Sequence, residues 1–372
     1  MELVVTKEQL SYALALTASL TGRKSTMPIL SNVLITAEEG CLRVLGSDIE
    51  LTTVASVPAK VKKAGSTTLS AKLFSDIVRE LPDGDVTLKL VEGERVEIIT
   101  HASKLKMVGA SATEYPSING TSLKPSGEIA TIQLLDMINK TIYAVSLDEN
   151  RYNLSGVCLE VISEGKKGAQ LRMVATDGHR LAVITRPAGS LQFEGRIIVP
   201  KKGLLEIKKL LNPEQEEHIK IDVQEGFLIL EGKRSKISIR LVDSEYPDYS
   251  AVIPKGNGTI AIVPSRELIQ ALRRTSLIVT DRSKCVKLDF TEDTLKISSS
   301  SPELGEAAEE LTCAYKGKHM SIGFNAHYVI DFASSLGEDQ RVSLELNGEH
   351  AGAKFTAEGD ESYFGVVMPM RL

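Results

Sequence analysis

The stretch TTLSAKLFSDIVRELPDG, residues 67–84, reads as a short strand, a small residue, an amphipathic helix and a stop. Leu73, Phe74, Ile77, Val78 and Leu81 recur at helical spacing and form an apolar stripe. Pro82 and Gly84 end the helix, because neither residue continues one. The same order returns after about 130 residues in RIIVPKKGLLEIKKLLNPEQ (196–215) and again in MSIGFNAHYVIDFASSLGED (320–339). Recurrence at a fixed interval makes the repeated unit, and not the whole chain, the object to be folded.

Two further segment types recur. LVVTKEQLSYALALTASL (3–20), IATIQLLDMINKTIYAVS (129–146) and IAIVPSRELIQALRRTSLIV (260–279) are again strand followed by amphipathic helix. SKLKMVGASATEYPSI (103–118), SKISIRLVDSEYPDY (235–249) and ESYFGVVMPMRL (361–372) are strands that meet a proline. Three segment types in one order divide the 372 residues into units at 1–122, 123–254 and 255–372. The junctions NGTSLKPSGE and PKGNGT are rich in Gly, Pro, Asn and Ser, as connectors are. Each unit holds two helices and many short strands, an α+β domain made three times.

Between the two helices of the middle unit lies MVATDGHRLAVIT (173–185), with an Asp, a His and an Arg beside a Gly. It aligns with RVLGSDIELTTVA (43–55) and KISSSSPELGEAA (296–308). Asp-Gly between β-branched runs is a hairpin signal, because Gly takes positive φ at little cost. A catalytic reading of Asp177 and His179 needs a third group or a metal ligand. None is legible, so no catalytic residue is assigned.

Other chemistry is excluded by inspection. There is no phosphate loop, no His-Glu-x-x-His and no Gly-x-Ser-x-Gly elbow. The six histidines are scattered without metal spacing. Cys41, Cys158, Cys285 and Cys313 stand far apart, as reduced thiols of a cytosolic protein do, and form no zinc or disulfide framework. No secretory signal pattern opens the chain, and no apolar run approaches the roughly 20 residues of a membrane span. Neither metal nor cofactor is expected, and a binding protein is favoured over an enzyme.

The net charge is −5, yet basic residues gather locally. Lys201, Lys202, Lys208 and Lys209 crowd one helix, and Arg23 and Lys24 share a loop. Such runs are either solvated faces or a surface that tracks phosphates. In the last unit SSSPELGEAAEEL carries Glu303, Glu306, Glu309 and Glu310, whereas HASKLKM in the first carries Lys104 and Lys106. Opposite signs near the two ends suit head-to-tail pairing of copies.

KSTMPILSNVLI (24–35), VATDGHRLAV (174–183), IVPKKG (198–203), EYPDY (245–249) and VVMPMRL (366–372) together resemble the bacterial sliding-clamp family, the beta subunits of DNA polymerase III. The resemblance runs from end to end in the same order. It implies a DNA clamp fold: three repeated domains, each with two helices backed by antiparallel sheets, in a head-to-tail dimeric ring. The implied partners are double-stranded DNA, held without regard to sequence, a second copy of the chain, the replicative polymerase subunit, the clamp loader and other proteins with a clamp-binding motif. No membrane is implied, and a cytoplasmic localisation is expected. Helix spacing agrees. Helices pack about 8–10 Å apart, so six enclose a circle of roughly 17 Å and twelve one of roughly 34 Å, wide enough for a hydrated duplex.

The resemblance also implies sites. DNA would meet Arg23, Lys24, Arg151, Tyr152, Lys201 and Lys202. The family often carries Gln and Tyr-Tyr in the second-domain DNA loop, where this chain has Asp148, Tyr152 and Asn153. A partner-peptide cleft would comprise Leu154, Thr176, Gly178, His179, Arg180, Leu181, Pro247, Val252, Val366, Val367, Met368, Pro369, Met370 and Arg371. His179 and Arg180 would orient the partner's polar groups. Leu105 and Met107 would meet Leu277 and Ile278 as the apolar centre of the dimer interface. The alternatives are a DNA-processing enzyme built on Asp177 and His179, and an α+β scaffold that binds no nucleic acid.

Overall fold

The computed structural model describes residues 1–21, 27–116, 125–148, 150–163, 168–211, 216–256, 258–279 and 284–372. Among the described residues six α-helices form: α1 (Lys7–Thr17), α2 (Ala71–Glu80), α3 (Thr131–Asn139), α4 (Lys201–Leu210), α5 (Ser265–Thr275) and α6 (Ala326–Leu336). Each directly follows a strand, as the repeats require. The strand end supplies the cap in two of them. Thr6 Oγ1 accepts from the Gln9 N–H at 3.3 Å, and Asn325 Oδ1 accepts from the His327 N–H at 3.0 Å. In α2 the buried face is Ala71, Phe74 and Val78. Leu73 departs from the expected stripe and is exposed. It lies 100° from Phe74 around the helix, which turns it off the core-facing side.

The chain forms two compact units. One contains Met1–Ile132, Ser190–Gln192 and Lys202–Leu241, and the other Gln133–Gly189, Phe193–Lys201 and Val242–Leu372. The middle third contributes to both, for a reason visible in the strand pairing. In the first unit Ser235–Arg240 pairs antiparallel with Leu51–Pro58, so an eight-stranded sheet joins strands of the first and middle thirds. In the second unit Arg180–Pro187 pairs antiparallel with Asp360–Val367, and a nine-stranded sheet joins strands of the middle and last thirds.

Each unit holds one further sheet. That of the first unit has five strands and ends on the edge strand Lys104–Val108. That of the second has four strands and ends on the edge strand Gly305–Thr312. In the first unit a core of Leu3, Leu10, Val33, Phe74, Leu88 and Ile98, among others, is sealed beneath α1 and α2. Met107 belongs to this core and is only 3% exposed. Alternation along Lys104–Val108 puts Leu105 and Met107 on the inner face and Lys104, Lys106 and Val108 outside.

Candidate functional site

The three segments aligned around residue 177 are all hairpins. Cys41–Ser47 pairs with Leu51–Pro58, Ala169–Thr176 with Arg180–Pro187, and Thr294–Ser301 with Gly305–Thr312. In the middle one the turn is 177–179, with Gly178 at φ 87°. Asp177 Oδ1 accepts the main-chain N–H of His179 at 2.9 Å and of Arg180 at 3.0 Å. Thr176 Oγ1 accepts the Gly178 N–H at 3.1 Å and donates to the Arg180 carbonyl at 2.6 Å. Asp177 thus organises its own turn, as Asp does where a short side chain can reach backbone two residues on.

Arg180 completes the turn from within. Its Nε donates to Asp177 Oδ2 at 3.0 Å, Nη1 to Asp331 Oδ2 at 2.6 Å, and Nη2 to the Tyr143 carbonyl at 2.6 Å. The guanidinium also lies 4.4 Å from the centre of the Tyr328 ring. It is therefore committed to the protein's own groups. It braces the turn from inside the protein.

The hairpin meets the tail. Leu181 pairs with Val366, Val183 with Phe364, and the Met368 N–H donates to the His179 carbonyl at 2.9 Å. Beside this junction is a cleft of about 270 Å³ lined by Leu154, Thr176, Gly178, His179, Arg180, Leu181, Pro247, Asp248, Tyr249, Val252, Val366 and Met368. Its floor is the apolar cluster of Leu154, Cys158, Val174, Leu181, Val183, Tyr246, Tyr249 and Val366.

Ten of these lining residues were expected, and Asp248 and Tyr249 are additions. Both stand in EYPDY, whose proline and aromatics were legible without saying which side chain turns inward. Four expected residues lie elsewhere. Val367 follows Val366 in the same strand and so points to the opposite face of the sheet, where it is buried. Pro369, Met370 and Arg371 line a neighbouring depression with Ser321, Gly323, Glu349 and His350. The Met370 N–H donates to the Gly323 carbonyl at 2.8 Å, which leads the tail away from the cleft.

The basic residues are unevenly placed. Arg23 and Lys24 lie outside the described residues. Arg151 donates from Nη1 to the Asp177 carbonyl at 2.7 Å, and a Cβ on Gly178 would stand 2.5 Å from that nitrogen. Tyr152 is well exposed. Burial, and then the nearby Arg180 guanidinium, push the Lys201 ammonium below the usual lysine range. Lys202 Nζ is paired with Asp48 Oδ2.

At the edge strands, Lys104 and Lys106 both reach Glu97 Oε1, at 3.3 and 3.2 Å. Arg274 grips Glu309 with two bonds of 2.6 Å. Glu303, Glu306 and Glu310 stay exposed. Leu277 is 76% exposed and Ile278 half-buried, just after α5, while Leu105 is half-buried.

The cysteines are free thiols. Among the described residues, no group of His, Cys, Asp and Glu is placed to hold a metal ion. Among the described residues, no helix is long and apolar enough to cross a membrane.

An apolar cleft whose Arg180 and Asp248 are occupied in holding its own walls has the make-up of a binding site. Family models for the N-terminal, central and C-terminal domains of the DNA polymerase III beta subunit match residues 1–119, 128–248 and 250–371. The beta sliding clamp of Vibrio cholerae is 31% identical over 352 residues, 94% of each chain, and that of Escherichia coli 30% over 373 residues, the full length of both. The DnaN sliding clamp of Bartonella birtlesii, solved bound to griselimycin, superposes with a TM-score of 0.93 at 31% identity over the whole of both chains. The Caulobacter crescentus beta sliding clamp does so with 0.92 at 29%, again over both whole chains. The chain belongs to the DNA polymerase III beta subunit family, and its function is that of a non-catalytic sliding clamp.

Proposed function

We propose that two copies of the chain close head to tail around duplex DNA and tether the replicative polymerase and other replication and repair proteins through the cleft beside the 177–179 turn. The three clamp domains are 1–122, 123–254 and 255–372.

The observation that carries this reading is the pattern of sheets. Neighbouring thirds of the chain share an eight-stranded and a nine-stranded sheet, while the first and last thirds each keep a smaller sheet ending on an edge strand, Lys104–Val108 or Gly305–Thr312. Joined edge to edge between copies, the five-stranded and four-stranded sheets make one of nine strands, as many as the larger inner sheet. Unpaired edges are a liability that closure removes. The lysines on one edge face the exposed Glu303, Glu306 and Glu310 of the other, and Leu277, Ile278 and Leu105 supply apolar contact.

Helices facing the enclosed DNA would contact phosphates and not base edges, so the ring binds without sequence preference and can slide. Arg23, Lys24, Arg151, Tyr152, Lys201 and Lys202 are the proposed contacts. The cleft would take short apolar and aromatic peptides carrying a polar anchor, with Leu154, Leu181, Pro247, Val252, Val366 and Met368 as the trough, His179 at its rim, and Pro369, Met370 and Arg371 meeting the partner in the depression next to it. Such a protein works in the bacterial cytoplasm.

Retention on DNA tests the whole reading. Loaded protein should remain on nicked circular DNA and be lost from the same DNA after linearisation. Equal retention on both forms would count against encirclement.

A further inference from the structure

Part of the cleft lining, Thr176, Arg180, Leu181 and Val366, is built into the nine-stranded sheet. The segment 245–252 is not. Among the described residues, no main-chain hydrogen bond joins 245–252 to that sheet. What holds it there is side-chain contact, and the register of the sheet explains how.

Side chains on one face of a strand recur every second residue. Thr176, Leu181 and Val366 are cross-strand neighbours and form the row that lines the cleft. Two residues along, Ile198, Cys158, Val174, Val183 and Phe364 are neighbours and form an apolar row. Two residues further, Arg196, Glu160, Arg172 and Thr185 are neighbours, a charged row on the same face.

Tyr249 spans these rows. Its body belongs to the apolar cluster, and its hydroxyl donates to Glu160 Oε1. Glu160 is 6% exposed. A buried carboxylate is tolerated only when paired. Arg196 Nε donates to Glu160 Oε2 at 2.7 Å, and its guanidinium lies 5.3 Å from the centre of the Tyr249 ring. Arg172 Nη1 donates to the Tyr249 hydroxyl at 3.4 Å and stands 3.9 Å from Glu160 Oε1. The ring is thus held at its tip by a carboxylate and covered by a guanidinium, on the far side of the apolar row from the cleft.

We propose that Glu160, braced by Arg196 and Arg172, is a positioning residue for the peptide cleft: it anchors Tyr249 and thereby sets where the 245–252 wall stands. Glu160 does not itself line the cleft. The inference rests on the reading of that cleft as a peptide site. It assigns the width of the cleft to an ion ladder lying one pleat beyond the apolar floor.

The test uses the full-length protein and a fluorescently labelled short synthetic peptide carrying Gln and two apolar or aromatic residues. Tyr249→Phe keeps the ring and removes the tether. Glu160→Gln keeps the shape but leaves one oxygen to serve both Tyr249 and Arg196. Each should weaken peptide binding about tenfold, as loss of a hydrogen bond to a charged group does. The double variant should be no weaker than either single one, because one tether cannot be lost twice. Main-chain amide exchange at Ser250 and Ile253 should quicken in Tyr249→Phe, with the dimer intact. Wild-type affinity in both single variants, losses that multiply, or unchanged exchange would each overturn the assignment. His179→Ala serves as the control. If it weakens the peptide while the tether variants do not, the positioning role alone fails. If neither it nor deletion of 368–372 has any effect, the peptide reading fails and the positioning role with it.

Discussion

The main-chain N–H of Met368 donates to the main-chain carbonyl of His179 at 2.9 Å. This bond continues the pairing of Asp360–Val367 with Arg180–Pro187 by one step beyond the last strand residue, and it sets the tail beside the turn. Deleting 368–372 removes that bond, the Met368 wall and the bridge from Met370 to Gly323. Peptide binding should be lost, whereas sedimentation should still report a dimer. A monomeric truncated protein would show that the tail also supports assembly.

His179 and Arg180 are adjacent but should behave differently on substitution. His179 is exposed at the rim, so His179→Ala should weaken peptide by about 0.5–1.5 kcal/mol, one polar contact, and leave thermal stability unchanged. Arg180→Ala removes three hydrogen bonds and leaves Asp177 and Asp331 without their cation. It should destabilise the fold by about 3 kcal/mol. Chemical denaturation of the two variants separates rim from brace. Equal stability would mean that Arg180 does not brace the turn.

Leu277 is well exposed and Met107 is buried, so the two apolar residues expected at one interface should part company. Replacing Leu277 and Ile278 together with Ala should favour monomers with little change in denaturation midpoint. Met107→Ala should cost about 2–5 kcal/mol of fold stability, as other large-to-small core changes do. Analytical ultracentrifugation beside urea unfolding distinguishes the outcomes.

Lys202 is already neutralised by Asp48. If Lys202 meets DNA, Asp48→Asn should free it, raising direct DNA affinity and steepening the salt dependence by about one phosphate contact. Asparagine keeps the side-chain oxygen that accepts the Leu51 N–H, so the turn should survive. An unchanged salt slope would exclude Lys202 as a phosphate contact.

Burial pushes the Cys158 thiol up to about 12 and the Cys313 thiol up to about 11. A raised thiol pKa means the protonated, unreactive form prevails at pH 8. Neither cysteine should react with a thiol-specific probe in the folded protein at that pH, and both should react after denaturation. Mass spectrometry of the labelled chain locates the modified residues.

Much of this protein was determined by sequence alone, because the relevant physics is local. Strand-then-helix order, the three repeats and the Asp-Gly turn at 177–178 rest on periodicity and turn chemistry within a few residues. The structure bears out those elements, and with them the six helices. Tertiary structure decided what the local pattern leaves open. Leu105 and Met107 alternate onto one face of their strand, but only packing under α1 and α2 made that face a core. VVMPMRL reads as a single apolar tail, yet strand alternation and the bridge at Gly323 divide it between the cleft, the sheet's far face and a separate depression. Arg180 reads as a free cation until Asp331 and Tyr143, distant in the chain, arrive around it. The Tyr249 wall depends on Glu160, Arg172 and Arg196 falling opposite one another across three strands. Register between strands far apart in the chain is fixed by the collective burial of whole faces, and no window of neighbouring residues contains that information.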